Sequence, residues 1–481
     1  MGKLLCIIGI VVSLFLTLLS DGMSLSWLYI PFAIFTLCVS FITYKKDKNA
    51  SLHRFWLRPS IICLFSLVIV AFQLSIDHVL GNTSIDTTLF PGASAYADFC
   101  FFSAGIFIFS YLLGLEYKNN ILFKRRETCI KKKQAIAWLV LMIVTFVSFV
   151  STIDVYFFLS GAAYHGSGDA DYVYTISNTL EGLYQAFFYI TLGSYSKLIG
   201  TGTNESSKSF WRFLKGFPIV FWICVILYLI LRLFSGDRGP VIYNSLAIIY
   251  AYILCSKYKF KLSFVIASFI IGAMFVTFLG TFRSRDSDLS IAMKVYETIN
   301  RQNELSASDN KSIFGPTVEL AESEDTHFMA VRDIANYRTT YSLGRYTLLS
   351  LTGAIPGLKR KYLYDLGLTP GEIDSSIYFS ISSQGNNYSF GEGSSMFGEA
   401  YLVFGLLGMI LFGLLLGFIY KQVDISLMQN RSFSVISLAI IFKLSAQAIY
   451  MGRTSFAIEL GSVLHLIVLY LIFNFVIKRL S

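Results

Sequence analysis

Five arginines stand beside apolar runs of this chain: Arg232, Arg238, Arg283, Arg285 and Arg453. A guanidinium presents a planar fork that grips phosphate or carboxylate with two parallel hydrogen bonds, which a lysine ammonium does not. Arg238 sits in Ser235-Gly236-Asp237-Arg238-Gly239-Pro240. The glycines there permit a sharp reversal, and the proline suits the first turn of a following helix. Arg453 lies in the short turn Met451-Gly452-Arg453-Thr454. A second group of polar residues runs Gly391-Glu392-Gly393-Ser394-Ser395 straight into an apolar run. Backbone amides of such a loop, entering a helix N-terminus, form an anion site. A flexible entry to the helix is the plainer reading of the same residues. Glu399 falls at the edge of the apolar run, where a carboxylate must be paired or working.

The elements that position these groups are membrane helices. The chain is 55% hydrophobic with a mean hydropathy of +0.61, and repeated apolar runs of this length mean transmembrane helices. Spans are predicted near residues 4–20, 25–44, 60–80, 96–115, 135–157, 179–198, 216–234, 239–256, 262–282, 397–420, 432–450 and 456–477. The first run lacks a small-x-small cleavage site and is read as a helix, not a signal peptide. The expected fold is an all-α polytopic membrane protein of about twelve transmembrane helices, with both termini cytoplasmic. Its expected parts are a nine-helix membrane region (1–282), a large external loop (283–396) and a three-helix membrane region (397–481).

Charge sets the orientation. With the N-terminus inside, the cytoplasmic segments hold 24 basic residues and five acids, and the outer side holds 14 basic residues and 25 acids. The basic balance is therefore a topology signal and gives no reason to expect nucleic-acid binding. Ten of the 14 outer cations are arginine, against seven of the 24 inner ones. Topology needs only positive charge, so the outer arginines suggest a task. Ion pairing with outer acids, and snorkelling of span-end arginines to ordinary headgroups, compete with that reading. None of the seven cysteines falls in the large outer loop, so no disulfide framework is expected there. No Cys/His cluster has zinc spacing, and no metal or cofactor is expected.

Within the outer loop, residues 288–305 carry Leu289, Met293, Tyr296 and Ile299 at helical spacing and read as an amphipathic helix. Residues 326–352 form a second helical stretch bearing Arg332, Arg338 and Arg345, closed by Pro356 and Gly357. Lys443, Glu459 and His465 lie inside the last two spans. There they are costly and suggest either a structural pair or function.

The order of many spans, a Gly-Asp-Arg-Gly-Pro turn and a late outer loop resembles a known family. That loop ends in Gly-Glu-Gly-Ser-Ser-Met-Phe-Gly-Glu-Ala-Tyr-Leu-Val-Phe-Gly-Leu-Leu-Gly (391–408). The chain resembles the Wzy-type polymerases of bacterial O-antigen, capsule and enterobacterial-common-antigen assembly, which are similar to O-antigen ligases and, more distantly, to GT-C glycosyltransferases. The resemblance implies a multi-pass protein of the bacterial cytoplasmic membrane acting on undecaprenyl-diphosphate-linked glycans. It further implies a membrane-lipid environment, with a chain-length regulator and a flippase as possible partners. Under it, Arg238, Arg283 and Arg453 are the first candidates for diphosphate contacts, followed by Arg232, Arg285, Arg338 and Arg345. Glu399, Glu392, His327 and His165 are the candidate bases, and Gly391, Gly393, Ser394 and Ser395 would line the cavity. A lipid-linked oligosaccharide flippase or other transporter, and a ligase-type glycosyltransferase, are the rival readings. Lys443 and His465 speak for transport.

Overall fold

The structure is a computed structural model and describes residues 2–20, 23–45, 57–117, 121–123, 130–153, 172–200, 210–235, 238–256, 317–352, 355, 358, 365, 367–386, 391–428 and 433–480. Every regular element among the described residues is helical. Nine helices among them are long and apolar enough to cross a membrane, against the twelve expected. The predicted spans at 179–198 and 216–234 are the helices Tyr172–Gly200 and Ile219–Phe234. The first is long but richer in polar residues, and the second is 16 residues long. The span predicted at 262–282 and the amphipathic helix predicted at 288–305 lie outside the described residues.

The span expected at 397–420 is not one straight helix. Met396–Met428 breaks at Phe404 (φ −141°, ψ 19°) and Gly405 (φ 59°, ψ −141°). Gly405 takes a left-handed φ that disfavours any side chain. A Cβ on Gly408 would stand 1.9 Å from the carbonyl oxygen of Ala400, although residues eight apart on a straight helix are separated by about 12 Å. The arm 396–403 therefore folds back across the start of 406–428. The break frees the carbonyls of Leu402 and Val403, which accept from the backbone N–H groups of Ser342 and Leu343, each at 3.0 Å. Broken membrane helices persist where other backbone satisfies the freed groups in this way.

The chain divides into two compact units. The first comprises Met1–Leu122, Asn310–Ile425 and Ala448–Ser462. Its core is aromatic, with Tyr29 stacked on Phe101 at 4.0 Å between ring centroids. The helix Ala97–Leu115 meets Met396–Met428 almost backbone to backbone. A Cβ on Gly413 would stand 2.5 Å from Phe107 O, and one on Gly417 would stand 2.0 Å from Tyr111 O. Small residues at such crossings let helices associate in lipid, where hydrophobic burial gives no drive. Part of the 283–396 segment, expected to be an outer loop, belongs to this core: Phe328, Met329 and Ala330 of the helix Asp325–Ala335 are buried. The turn Ala448–Arg453 is tied to Pro59–Val79 by the N–H of Gly452, which donates to Ser66 Oγ at 2.9 Å.

The second unit comprises Phe123–Asp309, Ser426–Gln447 and Val463–Ser481. Tyr172–Gly200, Arg238–Ser256 and Val435–Gln447 pack against one another in it, and Lys132–Thr152 lies along the first. Lys197 is buried and donates to the Phe433 carbonyl at 2.6 Å. Lys443 is buried with its ammonium 5.6 Å from the centre of the Tyr189 ring.

Candidate functional site

In the first unit, the helices Asp325–Ala335 and Ser375–Gln384 and the loop 391–395 bring acids and arginines together. Asp374 caps the second of these helices, accepting from the Ser376 N–H at 3.0 Å. Asp333 is buried and accepts from Arg332 Nε at 2.8 Å, Tyr378 OH at 2.9 Å and Ser382 Oγ at 2.5 Å. Arg332 also donates to Ser382 Oγ at 2.7 Å and lies 4.6 Å over the Phe90 ring. It is thus committed to holding the two helices together. Arg338 differs. Its guanidinium is 3.7 Å from Asp333 and its side chain is 60% exposed. Arg345 pairs with Glu372 at 2.7 Å, and both are about half exposed. The Thr369 N–H, with the Arg345 guanidinium behind it, pulls the Glu372 carboxyl down to about 2.

Glu392 accepts from Ser383 Oγ at 2.8 Å and Gln384 Nε2 at 3.1 Å, and its own N–H donates to Ser380 Oγ at 3.0 Å. Asp325 stands in the field of Glu392. Its Oδ1 is buried without a hydrogen-bond partner among the described residues. Burial first, and then the Glu392 charge, push the Asp325 carboxyl up to about 7, against the pull of Arg332. Sequence reasoning missed Asp325. Adjacent acids in a polar block (Glu322, Glu324, Asp325) look like a solvated face until burial is known.

The other predicted residues are placed as follows. Ser395 is buried, and its Oγ accepts from the Gly398 N–H at 3.0 Å and from Thr326 Oγ1 at 2.7 Å, so the arm 396–403 is capped by its own chain. Ser394 is buried beside it, Gly393 turns the loop at φ 79°, and Gly391 is exposed. Glu399 has no exposed surface. The Ala457 N–H reaches its two carboxylate oxygens at 3.2 and 3.4 Å, setting the carboxylate at the N-terminus of Phe456–Leu480, where the helix dipole favours an anion. His327 is equally buried, with Nε2 at 3.3 Å from Ser103 Oγ and its ring stacked on Phe397. Burial pushes it down to about 3, so it is neutral. Neighbouring Glu324 is fully buried, and neither of its oxygens has a partner among the described residues. Burial pushes its carboxyl well up.

Arg453 closes the 448–453 turn of the first unit and is partly buried. In the second unit, Arg232 grips both oxygens of Glu181, with Nε at 2.6 Å, and Tyr228 OH donates to the same carboxylate. Arg238 opens the helix Arg238–Ser256. Arg283, Arg285 and His165 lie outside the described residues. No group of three or more His, Cys, Asp or Glu side chains with the spacing of a metal site occurs among the described residues.

The sequence model of the family O-antigen polysaccharide polymerase Wzy matches residues 3–480. This chain belongs to that family. No curated protein and no solved structure matches it. Membership and the apolar helices make it a multi-pass membrane protein of polysaccharide biosynthesis, and in outline its activity is polymerisation of O-antigen repeat units carried on lipid. The motif 391–408 that carried the resemblance now has physical content. Gly405 permits the helix break and Gly408 the fold-back, while Ser395 caps the arm so formed.

Proposed function

We propose that this Wzy-family polymerase joins oligosaccharide repeat units carried on undecaprenyl diphosphate, at the outer face of the bacterial cytoplasmic membrane. The family match over residues 3–480 carries the reading. The acid and arginine cluster of the first unit supports it. In the reaction, a hydroxyl at the non-reducing end of an incoming unit attacks the anomeric carbon of the growing glycan. The bond from that carbon to the diphosphate oxygen breaks, undecaprenyl diphosphate leaves with the electron pair, and the hydroxyl proton passes to a base. Two groups are required: cations for the charge developing on the diphosphate, and a base for the proton.

Arg338 and Arg345 are the described arginines best displayed for the first task. Arg238, Arg453, Arg283 and Arg285 remain candidates at span ends. Arg232, closed on Glu181, is read as a positioning residue of its unit. For the second task, Glu392 is joined by Asp325, which at neutral pH is poised between its two forms. His165 stays a candidate. Glu399 and His327, sealed from solvent, are read as positioning groups for the broken helix and the outer loop.

The test is stoichiometry. Purified protein in vesicles, given lipid-linked repeat units, is expected to release one undecaprenyl diphosphate for each unit added to the polymer. Release without elongation, or elongation without release, contradicts the proposed transfer.

A further inference from the structure

Residues 337–352 and Ile355 of the outer loop include large apolar side chains that the protein leaves uncovered. Leu343 is 73% exposed and Leu348 is 66% exposed, with Tyr337, Tyr341 and Ile355 exposed around them. Leu343 also holds a left-handed backbone, φ 48°, which is disfavoured for a leucine. Two neighbours maintain it. The Leu343 N–H donates to Val403 O at 3.0 Å, and the Arg345 N–H donates to Ser342 O at 2.9 Å. A strained turn that displays a leucine outward is unexpected if it faces water.

The depth of this turn follows from the broken helix. Beyond the break, residues 406–428 run about 34 Å at the α-helical rise, enough for a hydrocarbon core of about 30 Å. With no residue of 396–403 needed for that crossing, the break at 404–405 is read as its outer end. The Ser342–Leu343 backbone is bonded to the carbonyls of Leu402 and Val403, on the edge of that break. Gly344 lies beside it, its Cβ direction pointing at the Phe404 ring at 3.7 Å. One helical turn further on, Leu407 opens a stripe of exposed leucines continued by Leu411 and Leu415, spaced by four on the lipid-crossing segment. The exposed leucines of the turn thus begin at the level where the lipid-facing stripe begins. Arg338 and Arg345, both solvent-reaching, flank the turn as interfacial cations do.

We propose that the turn Ser342–Gly344 and the helix Arg345–Leu351 form a lip inserted into the outer leaflet, with Leu343 and Leu348 among the acyl chains. The lip ties the outer loop to the bilayer. The inference rests on the membrane reading of the helices and stands or falls apart from the glycosyl-transfer chemistry.

A direct test places an environment-sensitive fluorescent amino acid at Leu343, or separately at Leu348, in the full chain reconstituted in phosphatidylcholine vesicles. Lipids brominated near the top of the acyl chains are expected to quench both positions several-fold more strongly than aqueous iodide does. The same probe at Ser383, exposed on the helix Ser375–Gln384, is expected to show the reverse. Iodide-dominated quenching at Leu348, whose backbone carries no strain, overturns the lip even where the Leu343 variant fails to fold. Bromolipid quenching at Ser383 equal to that at Leu348 also overturns it, because the signal would then not mark insertion of the lip.

Discussion

Each unit holds an arginine–glutamate pair, and the two pairs have opposite settings. In the second unit Arg232 and Glu181 leave only 13% and 12% of their side chains exposed, and Tyr228 completes the cage. In the first unit Arg345 and Glu372 are 43% and 44% exposed. The buried pair is bidentate and the exposed pair rests on one contact, from Arg345 Nη2 to Glu372 Oε1, so geometry and solvent act in the same direction. A buried pair is locked, because losing one partner strands a charge in low dielectric. An exposed pair contributes little to stability and exchanges readily for another anion. The same residue type is therefore a structural rivet in one unit and a solvent-accessible cation in the other.

Removing a partner from the buried pair should have the largest effect. Glu181→Ala is expected to destabilise the second unit by roughly 3–5 kcal/mol, read as a lowered melting temperature in detergent. The double change Glu181→Leu with Arg232→Met should recover most of the loss. A Glu181→Ala protein that melts like the parent would break the contrast. Next comes the broken helix of the first unit. Gly408→Ala places a methyl group against the Ala400 carbonyl and is expected to cost about 1–3 kcal/mol, with Gly405→Ala similar because of its backbone angle. If both are neutral, the fold-back is not the native arrangement.

A smaller effect is linked to pH. Glu324 and Asp325 have raised carboxyl values in the folded chain, so the folded state keeps protons that the unfolded chain sheds above about pH 4. Their contribution is therefore least unfavourable at low pH, and the cost grows as pH rises toward about 7. Glu324→Gln with Asp325→Asn should remove that cost. The gain in melting temperature over the parent is expected to widen between pH 4.5 and 7, and a gain independent of pH would show that burial does not perturb these carboxyls. The smallest structural effect belongs to the exposed pair. Arg345→Ala should change stability by about 0–1 kcal/mol, a melting shift near the limit of detection, while polymer output falls. A large melting shift would make Arg345 structural, like Arg232.

Much of this was legible in the sequence. Apolar runs gave the nine membrane-length helices of the described residues, although twelve were expected, and the arginine census singled out Arg338 and Arg345 among other candidates. The run 391–408 marked the most unusual stretch of backbone. The break at Phe404–Gly405 was not legible, because hydropathy continues unbroken through it and only the backbone geometry around those two residues reveals it. Glu181 was missed as the partner of Arg232 because 51 residues separate them and no periodicity links them. Burial likewise distinguishes Asp325 and His327 from the solvated charges around them, and a sequence does not report burial in a block that looks polar throughout.

The central claim is that this chain elongates lipid-linked glycan using arginines displayed on the first unit. Its most direct test compares the purified parent with Arg338→Ala, both reconstituted with a single lipid-linked repeat unit and resolved by electrophoresis. The parent should give a ladder of polymer lengths. Arg338→Ala should insert and melt like the parent while elongation slows by about 10²-fold. A parent that yields only a single-unit product, or an Arg338→Ala protein that gives the full ladder at the parent's rate, would contradict the account.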